Sequence, residues 1–357
     1  MEISVQLTQS PKARPATDQL GFGRYFSDHM FVAEYTQEGG WKNAKVVPYQ
    51  SLSLDPGASV LHYGQAIFEG MKAYRGVDGK IRLFRPEANW RRMHSSAERL
   101  CMKMIDLETF LEALKTLVHA DRDWIPAEPD TSLYLRPTLI ATEPFLGVRP
   151  SQTYTFFIIA SPVGAYYGDK IEPVKIWVER KYSRAAPGGV GSAKAAGNYA
   201  ASLLASTQAR ERGFDQVLWL DAAEKHFIEE VGTMNVFFRF DNTVITPPLT
   251  GTILPGITRD SVLRLLHAKD IRVEERPLSL DEVLEGARTG RLKEVFGTGT
   301  AASISPVGAL GVDGRLIVIG NGETGELARE LYQILNGIQY GKIPDPFGWT
   351  MEISVET

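Results

Sequence analysis

The spacing of apolar positions predicts strands and helices mixed along the whole chain. Trp90, Met93, Ala97 and Leu100 recur at helical intervals, so residues 87–100 are predicted to form a helix with one buried face. Residues 107–118 repeat the pattern and predict a second helix. Short aliphatic and aromatic runs predict strands at residues 81–84, 132–138, 153–160, 174–179, 216–220, 227–230 and 235–240.

Polar residues and glycines indicate where the helices of the second half begin and end. Asn198 is a favourable N-cap for a helix that runs to Arg212, and Gly213 is a favourable stop. Ser279 and Glu282 form a capping-box pattern for a later helix. Further helices are expected from Thr258 and over residues 324–335. The helix after Asn198 is expected to bury Ala200, Leu203, Leu204, Thr207 and Ala209.

A segment rich in glycine, proline and small residues divides the chain near its middle. With 357 residues, two domains are more plausible than one or three. The pattern predicts a small N-terminal α/β domain over residues 1–162, a linker at 163–173 and a large C-terminal domain over 174–357 that carries Lys194. The pentapeptide MEISV occurs at residues 1–5 and again at 351–355, and no function is predicted for it.

Composition and charge disfavour several classes of protein. The net charge is −4 without a long basic run, so nucleic acid is not an expected partner. The six histidines lack metal-binding spacing, so no metal is expected. The longest apolar runs are strand-sized, and no signal peptide or membrane span is expected. Cys101 is the only cysteine, which excludes a disulfide framework and favours a cytoplasmic location.

Lys194 lies among small residues in GGVGSAKAAGNY, where a charged side chain is unusual. The segment is not a phosphate-binding P-loop, because that motif needs Gly-Lys-Ser/Thr directly before a helix. A desolvated lysine can instead act as a nucleophilic amine, since burial lowers its pKa. That chemistry predicts a carboxylate for a cofactor ring, and Glu229 and Glu230 are candidates that face opposite sides of one strand. Residues 254–258 and 297–300 offer N–H and hydroxyl groups for an anion.

Eight segments in a consistent order resemble the branched-chain amino acid aminotransferases. These segments are HYGQAIFEGMKAYRG, LYLRP, PVGAYY, KAAGNYAASLL, QVLWLD, EEVGTMNVFF, GTILPGITRD and EVFGTGTA. The resemblance covers residues 20 to 349, approximately the whole chain. It implies an α/β (α+β) fold of the two-domain fold-type IV class, with pyridoxal 5′-phosphate bound in an active site at the domain interface.

The resemblance implies roles for the residues that would hold the cofactor. Lys194 matches the catalytic lysine that bonds to pyridoxal phosphate and moves the proton. Tyr199 matches the tyrosine at the phenolic oxygen, and Arg92 matches the phosphate-binding arginine. Glu230 matches the acid at the pyridine nitrogen, so Glu229 is expected to face solvent. The remaining phosphate ligands match Ile257, Thr258 and Thr298.

The resemblance also implies a substrate site and a homodimer. Thr300 and Ala301 match the turn whose N–H groups hold the α-carboxylate. Arg136 matches an arginine that accepts the distal carboxylate of glutamate. The aromatic walls of the side-chain pocket match Tyr63, Phe68, Tyr134 and Tyr166. Tyr63, Leu146 and Val148 match positions that reach the partner subunit's site.

The implied activity is reversible amino transfer between L-leucine, L-isoleucine or L-valine and 2-oxoglutarate by a ping-pong mechanism. Within the same fold, a D-amino acid aminotransferase or an aminodeoxychorismate lyase is the alternative. A non-catalytic protein that binds pyridoxal phosphate is the alternative of another class. It is disfavoured because both Lys194 and Glu230 are present.

Overall fold

The structure is a computed structural model that describes residues 1–164 and 171–354. Within these ranges the chain forms two compact units. Unit 1 contains residues 1–164, 193–197 and 336–354, and unit 2 contains residues 171–192 and 198–335. No helix in the described part is long and apolar enough to span a membrane.

Eighteen strands are present in the described ranges. In chain order they are β1 (Ser4–Val5), β2 (His29–Thr36), β3 (Gly40–Pro48), β4 (Ala66–Phe68), β5 (Met71–Arg75), β6 (Ile81–Phe84), β7 (Ser132–Ala141), β8 (Thr153–Val163), β9 (Val174–Glu179), β10 (Gln216–Leu220), β11 (Ile228–Val231), β12 (Asn235–Phe240), β13 (Thr243–Thr246), β14 (Arg272–Glu275), β15 (Leu292–Gly299), β16 (Ser303–Val312), β17 (Arg315–Val318) and β18 (Thr350–Ile353).

Seven α-helices accompany them in the same ranges. They are α1 (Ser59–Tyr63), α2 (Pro86–Arg99), α3 (Leu107–Ala120), α4 (Ala196–Glu211), α5 (Ile257–Ala268), α6 (Leu280–Arg288) and α7 (Glu326–Gln339).

Unit 1 is built on a nine-stranded sheet in the order β1-β3-β2-β8-β7-β5-β6-β18, with β4 beside β7. Helices α2 and α3 contribute Met93, Phe110 and Leu114 to the same buried core as Phe31 and Phe156 of the sheet. The apolar faces predicted for these two helices are therefore confirmed. The two MEISV copies contribute strands at opposite edges of this one sheet.

Unit 2 is built on a second nine-stranded sheet in the order β11-β10-β9-β16-β15-β12-β13-β14, with β17 beside β16. Strand β9 pairs in parallel with β10 and β16, whereas β12 pairs antiparallel with β13 and β15. Phe238, Val283 and Leu310 belong to one core between sheet and helix. The turn, loop and strand ends of this sheet carry the second half of the candidate site.

Most predicted boundaries agree with the structure, and α4 is the main exception. The helix begins at Ala196, and the Asn198 side chain donates to the Val190 carbonyl, so Asn198 is not its N-cap. Leu203 and Leu204 are 64% and 53% exposed, so the predicted buried face was wrong. Only Ala205 and Ala209 of α4 are buried, packed with Val217 and Trp219. A narrow contact of small residues thus replaces the wide apolar face that the pattern predicted.

The two units differ from the predicted domains in where two segments belong. Residues 193–197 and 336–354 lie in unit 1, although they were assigned to the C-terminal domain. Pairing explains the first segment, because Ala195 forms a β-bridge with Ile67. Lys194 is consequently part of unit 1. The predicted linker at 163–173 falls largely outside the described residues and stays a prediction.

Candidate active site

The backbone of Lys194 is held on both sides within unit 1. The Phe68 N–H donates to the Lys194 carbonyl at 3.2 Å, so the segment extends the sheet beside β4. The Lys194 N–H donates to the Ser96 hydroxyl of α2 at 2.9 Å, and that hydroxyl donates to the Arg92 carbonyl. A short strand and a helix therefore fix the point from which the lysine side chain extends.

The Lys194 amine lies in a half-buried position beside aromatic rings and charged groups. Its Nζ is 4.8 Å from the centroid of the Phe68 ring. Burial lowers the pKa of Lys194 from 10.5 to about 8, and the positive charge of Arg92 acts in the same direction. The negative charge of Glu69 opposes these effects. A substantial fraction of the amine is therefore neutral, and so nucleophilic, near neutral pH.

Arg92 is held by Glu69, a residue that the sequence analysis did not single out. The Arg92 Nε and Nη2 donate to the two Glu69 carboxylate oxygens at 2.7 and 2.8 Å. The Asn89 amide also donates to Glu69, at 2.8 Å. Although burial alone would raise the pKa of Glu69, Arg92 holds that pKa below its ordinary value. The signal for Glu69 was present in FEGMK, as a carboxylate inside an otherwise apolar strand region.

Arg136 lies flat against two of the predicted pocket aromatics. Its guanidinium carbon is 4.7 Å from the Phe68 ring centroid and 5.2 Å from that of Tyr134. One nitrogen donates to the Tyr134 hydroxyl at 3.1 Å. The buried Arg136 Nε has no hydrogen-bond partner among the described residues. Gly70 makes this packing possible, because a Cβ there would overlap the Tyr134 hydroxyl.

Glu230 lies in unit 2 and is bound on both carboxylate oxygens. Oε2 is 2.9 Å from the Nε of Arg184, and Oε1 accepts the Leu254 N–H at 2.7 Å. Arg184 also donates to the carbonyls of Gly191 and Thr252. Arg184 was not predicted as a site residue, since an arginine ten positions before Lys194 has no local signature. Its charge compensates the buried Glu230 carboxylate.

Glu229 does not face solvent, and that expectation was wrong. Both Glu229 and Glu230 are buried, at 6% and 2% exposure. Glu229 lies beside the irregular pairing between β10 and β11, where strict alternation of faces breaks down. Burial raises the pKa of the Glu229 carboxyl despite a hydrogen bond with Thr252.

Asn235 links the predicted phosphate ligands of unit 2. Its amide donates to the Leu254 carbonyl at 2.9 Å, and its backbone pairs with Thr298 across β12 and β15. A Cβ at Gly256, which directly precedes α5, would overlap the Asn235 side chain. Ile257 and Thr258 form the first turn of α5, which has no side-chain cap. The structure therefore brings Glu230, the start of α5 and Thr298 together.

The remaining predicted residues are placed as follows. Thr300 and Ala301 follow β15 in a turn, and Tyr199 lies half-buried in α4. Tyr63 ends α1 with 42% exposure and donates to the Leu146 carbonyl, apart from the residues around Lys194. Tyr166 lies outside the described residues. No group of three or more His, Cys, Asp or Glu side chains within 1–164 and 171–354 is arranged to hold a metal.

Comparisons with known proteins identify the family. The profile of the amino-transferase class IV family matches residues 66–310. The chain is 54% identical to the branched-chain-amino-acid aminotransferase 2 of Bacillus subtilis strain 168, over 99% of this chain and 98% of the relative. The chain therefore belongs to the class IV aminotransferases and is a transferase enzyme.

Solved structures agree with this assignment. The crystal structure of the Escherichia coli branched-chain amino acid aminotransferase matches with a TM-score of 0.78 and 30% identity, over 92% of this chain and 99% of that chain. The branched-chain amino acid aminotransferase of T.th. complexed with N-(5′-phosphopyridoxyl)-L-glutamate matches with a TM-score of 0.76 and 26% identity, over 94% and 99%. The predicted α/β (α+β), two-domain fold-type IV class is confirmed.

Proposed function

We propose that this chain is a branched-chain amino acid transaminase that uses pyridoxal 5′-phosphate. It transfers the amino group reversibly between L-leucine, L-isoleucine or L-valine and 2-oxoglutarate, and the first product leaves before the second substrate binds. The observation that carries the proposal is the half-buried Lys194 amine, with a pKa of about 8, beside Arg92, Tyr134 and Arg136. The names of the relatives that match nearly the whole chain support the substrate class.

The residues present fit pyridoxal phosphate. The Thr298 hydroxyl is buried without a hydrogen-bond partner among the described residues, and α5 begins without a side-chain cap. A phosphate group would satisfy both, because helix N-termini and hydroxyls favour an anion. Arg92 supplies a positive charge of the kind that pairs with phosphate. We assign the cofactor to Arg92, Lys194, Tyr199, Glu230, Ile257, Thr258 and Thr298.

The chain's own residues have distinct tasks in this reaction. Bound pyridoxal phosphate would supply a carbonyl carbon for the amino group and an electron-withdrawing ring. Lys194 Nζ takes the proton from the substrate Cα, for which its lowered pKa suits it near neutral pH. Glu230, held by Arg184, is the acid assigned to the ring nitrogen. Thr300 and Ala301 are assigned to the substrate α-carboxylate.

The pocket must accept an apolar side chain in one half of the reaction and a carboxylate in the other. Phe68 and Tyr134 supply apolar surface, and each buried methylene contributes about 0.8 kcal/mol. An unpaired buried carboxylate would cost far more. Arg136 resolves the conflict, because it stacks on both rings and keeps a buried N–H without a partner among the described residues. Tyr63 and Tyr166 are assigned to the same pocket.

We further propose a homodimer in which Tyr63, Leu146 and Val148 reach the partner's site. Leu146 and Val148 are 66% and 86% exposed, and Tyr63 is 42% exposed. Clustered exposed apolar residues favour a protein contact. A cytoplasmic location, expected from the single cysteine, stays a prediction.

The decisive experiment follows both half-reactions by absorbance, with L-leucine first and 2-oxoglutarate second. We expect the wild-type chain to complete the cycle and Lys194→Ala to lose turnover by several orders of magnitude. Lys225→Ala is the matched control, because burial also lowers the pKa of Lys225. Normal turnover of the Lys194 variant, or activity on D-alanine without activity on L-leucine, would refute the proposal.

A further inference from the structure

Glu69 is the most buried charged side chain beside the proposed catalytic lysine. It follows β4, and its side chain is fully shielded from solvent. Both oxygens accept from Arg92, and one also accepts from the Asn89 amide and the Gly70 N–H. A buried carboxylate with this many donors stays ionised. Glu69 is not among the residues assigned to substrate or cofactor contact.

Three residues on one face of α2 connect Glu69 to Lys194. Asn89, Arg92 and Ser96 are three and four positions apart, so they lie on the same side of the helix. Asn89 and Arg92 bind the Glu69 carboxylate, and Ser96 binds the Lys194 N–H. Phe68, which directly precedes Glu69, donates to the Lys194 carbonyl. The carboxylate and the lysine are thus fixed to the same two elements.

The charges that act on the Lys194 amine in unit 1 are unequal in sign. Arg92 of α2 and Arg136 of β7 are positive, and Tyr134 of β7 is a neutral phenol at neutral pH. Glu69 is the carboxylate among the groups that act on the amine. Without it, two arginines would face the lysine with no compensating negative charge in that set.

We propose that Glu69 is a positioning residue that serves Arg92 and Lys194 together. Its carboxylate holds two edges of the Arg92 guanidinium, which turns the remaining N–H groups toward the phosphate. The same negative charge limits how far the two arginines suppress protonation of the Lys194 amine. The inference rests on the proposed function, since it assigns Arg92 to the phosphate and Lys194 to the reaction.

The first test measures the titration of Lys194 in the full-length, cofactor-free chain. Competitive labelling with acetic anhydride at a series of pH values, read by mass spectrometry of the Lys194 peptide, gives the midpoint. We expect a midpoint near 8 in the wild type and a fall of about one unit in Glu69→Gln. Loosened packing would have the opposite effect, because solvent returns a lysine toward its ordinary pKa.

The second test isolates the phosphate contact. Dissociation constants are measured by fluorescence for pyridoxal phosphate and for pyridoxal, which lacks the phosphate. We expect the preference for pyridoxal phosphate to fall about tenfold in Glu69→Gln, as for the loss of one charge-assisted contact. Glu69→Asp should also reduce this preference while it keeps the Lys194 midpoint near that of the wild type. The shorter side chain retains the charge but not the two-edged grip.

Glu275→Gln is the matched control. Glu275 pairs with the buried Arg259 at 2.6 Å within unit 2, so it reports on the general loss of a Glu–Arg pair. It should change neither measurement. An unchanged or raised Lys194 midpoint in folded Glu69→Gln, or an unchanged ligand preference, would overturn the inference. If Glu69→Gln does not fold, an unchanged preference in Glu69→Asp overturns it. Labelling requires no turnover, so its outcome is independent of the transaminase assay.

Discussion

Charged residues at the candidate site are buried together with their counter-charges. Glu69 pairs with Arg92 in unit 1, and Glu230 pairs with Arg184 in unit 2. Breaking such a pair typically costs about 3–5 kcal/mol, because one charge is left buried without compensation. A pair of this kind is weak evidence for stability by itself, and it fixes the orientation of both side chains. This is the property that a cofactor site requires.

Arg136 provides a prediction about substrate choice. Arg136→Gln removes the charge that would accept a distal carboxylate but keeps a polar side chain of similar reach. We expect KM for 2-oxoglutarate to rise about 10- to 100-fold, because a hydrogen bond to a charged group contributes about 1.5–3 kcal/mol. The kcat/KM for L-leucine should change much less. Steady-state kinetics with both substrates measure the difference.

Arg212→Gln is the control for that prediction. Arg212 also lies over an aromatic ring, 4.8 Å from the centroid of Trp177 in unit 2, so its replacement removes a comparable stacking contact. It should leave both substrates unaffected. Equal losses for leucine and 2-oxoglutarate in Arg136→Gln would contradict the proposed role.

At the scale of elements, local signals were reliable wherever a side chain bonds to its own backbone. The Ser279 hydroxyl accepts the Glu282 N–H, as the capping box predicted for α6. Strand β9 has its predicted bounds, Val174–Glu179. The Asn198 cap failed because its amide is engaged by the Val190 carbonyl, an acceptor that local spacing does not reveal. Competition from the surrounding fold therefore decides whether a local signal is used.

The N-cap of α3 gives a prediction about stability. The Asp106 carboxylate accepts the Thr109 N–H at 2.8 Å, and Asp106→Ala should lower the free energy of unfolding by about 1 kcal/mol. Burial alone would raise the pKa of Asp106, but its bonds with Thr109 outweigh burial and hold the pKa below 3.8. The stabilisation is therefore present above pH 4 and is lost as the pH falls through the lowered pKa.

Denaturant unfolding of wild type and variant at neutral pH and at about pH 3 tests this dependence. Ser279→Ala removes the equivalent cap of α6 without a titrating group, so its cost should not change with pH. A cost of Asp106→Ala that is equally independent of pH would show that the carboxylate charge does not contribute.

At the scale of the whole molecule, exposed apolar residues predict assembly. Leu146→Glu with Val148→Glu places two charges on the surface proposed to meet a partner. We expect size-exclusion chromatography with light scattering to change from a dimer to a monomer, with loss of activity, because buried unpaired charges oppose association.

Val77→Glu is the control for this pair of changes. Val77 is 68% exposed and lies between β5 and β6, away from the proposed contact in the sequence. It should leave the assembly unchanged. A doubly substituted chain that remains a dimer would place the interface elsewhere.

The sequence by itself determined the elements and the chemical groups. Helical periodicity identified α2 and α3, and the resemblance indicated Lys194, Arg92, Glu230 and the start of α5 as site residues. These inferences succeed because periodicity, turn chemistry and motif order are local properties of the chain. The assignment of their roles remains a proposal.

Only the tertiary structure decided which residues complete the site. Residues 193–197 belong with unit 1 because Ala195 pairs with Ile67, a residue far away in the chain. The partners Glu69 and Arg184 were missed for the same reason. The exposure of Leu203 and the burial of Glu229 also contradicted the pattern. Burial and charge pairing depend on contacts between distant segments, which local spacing does not encode.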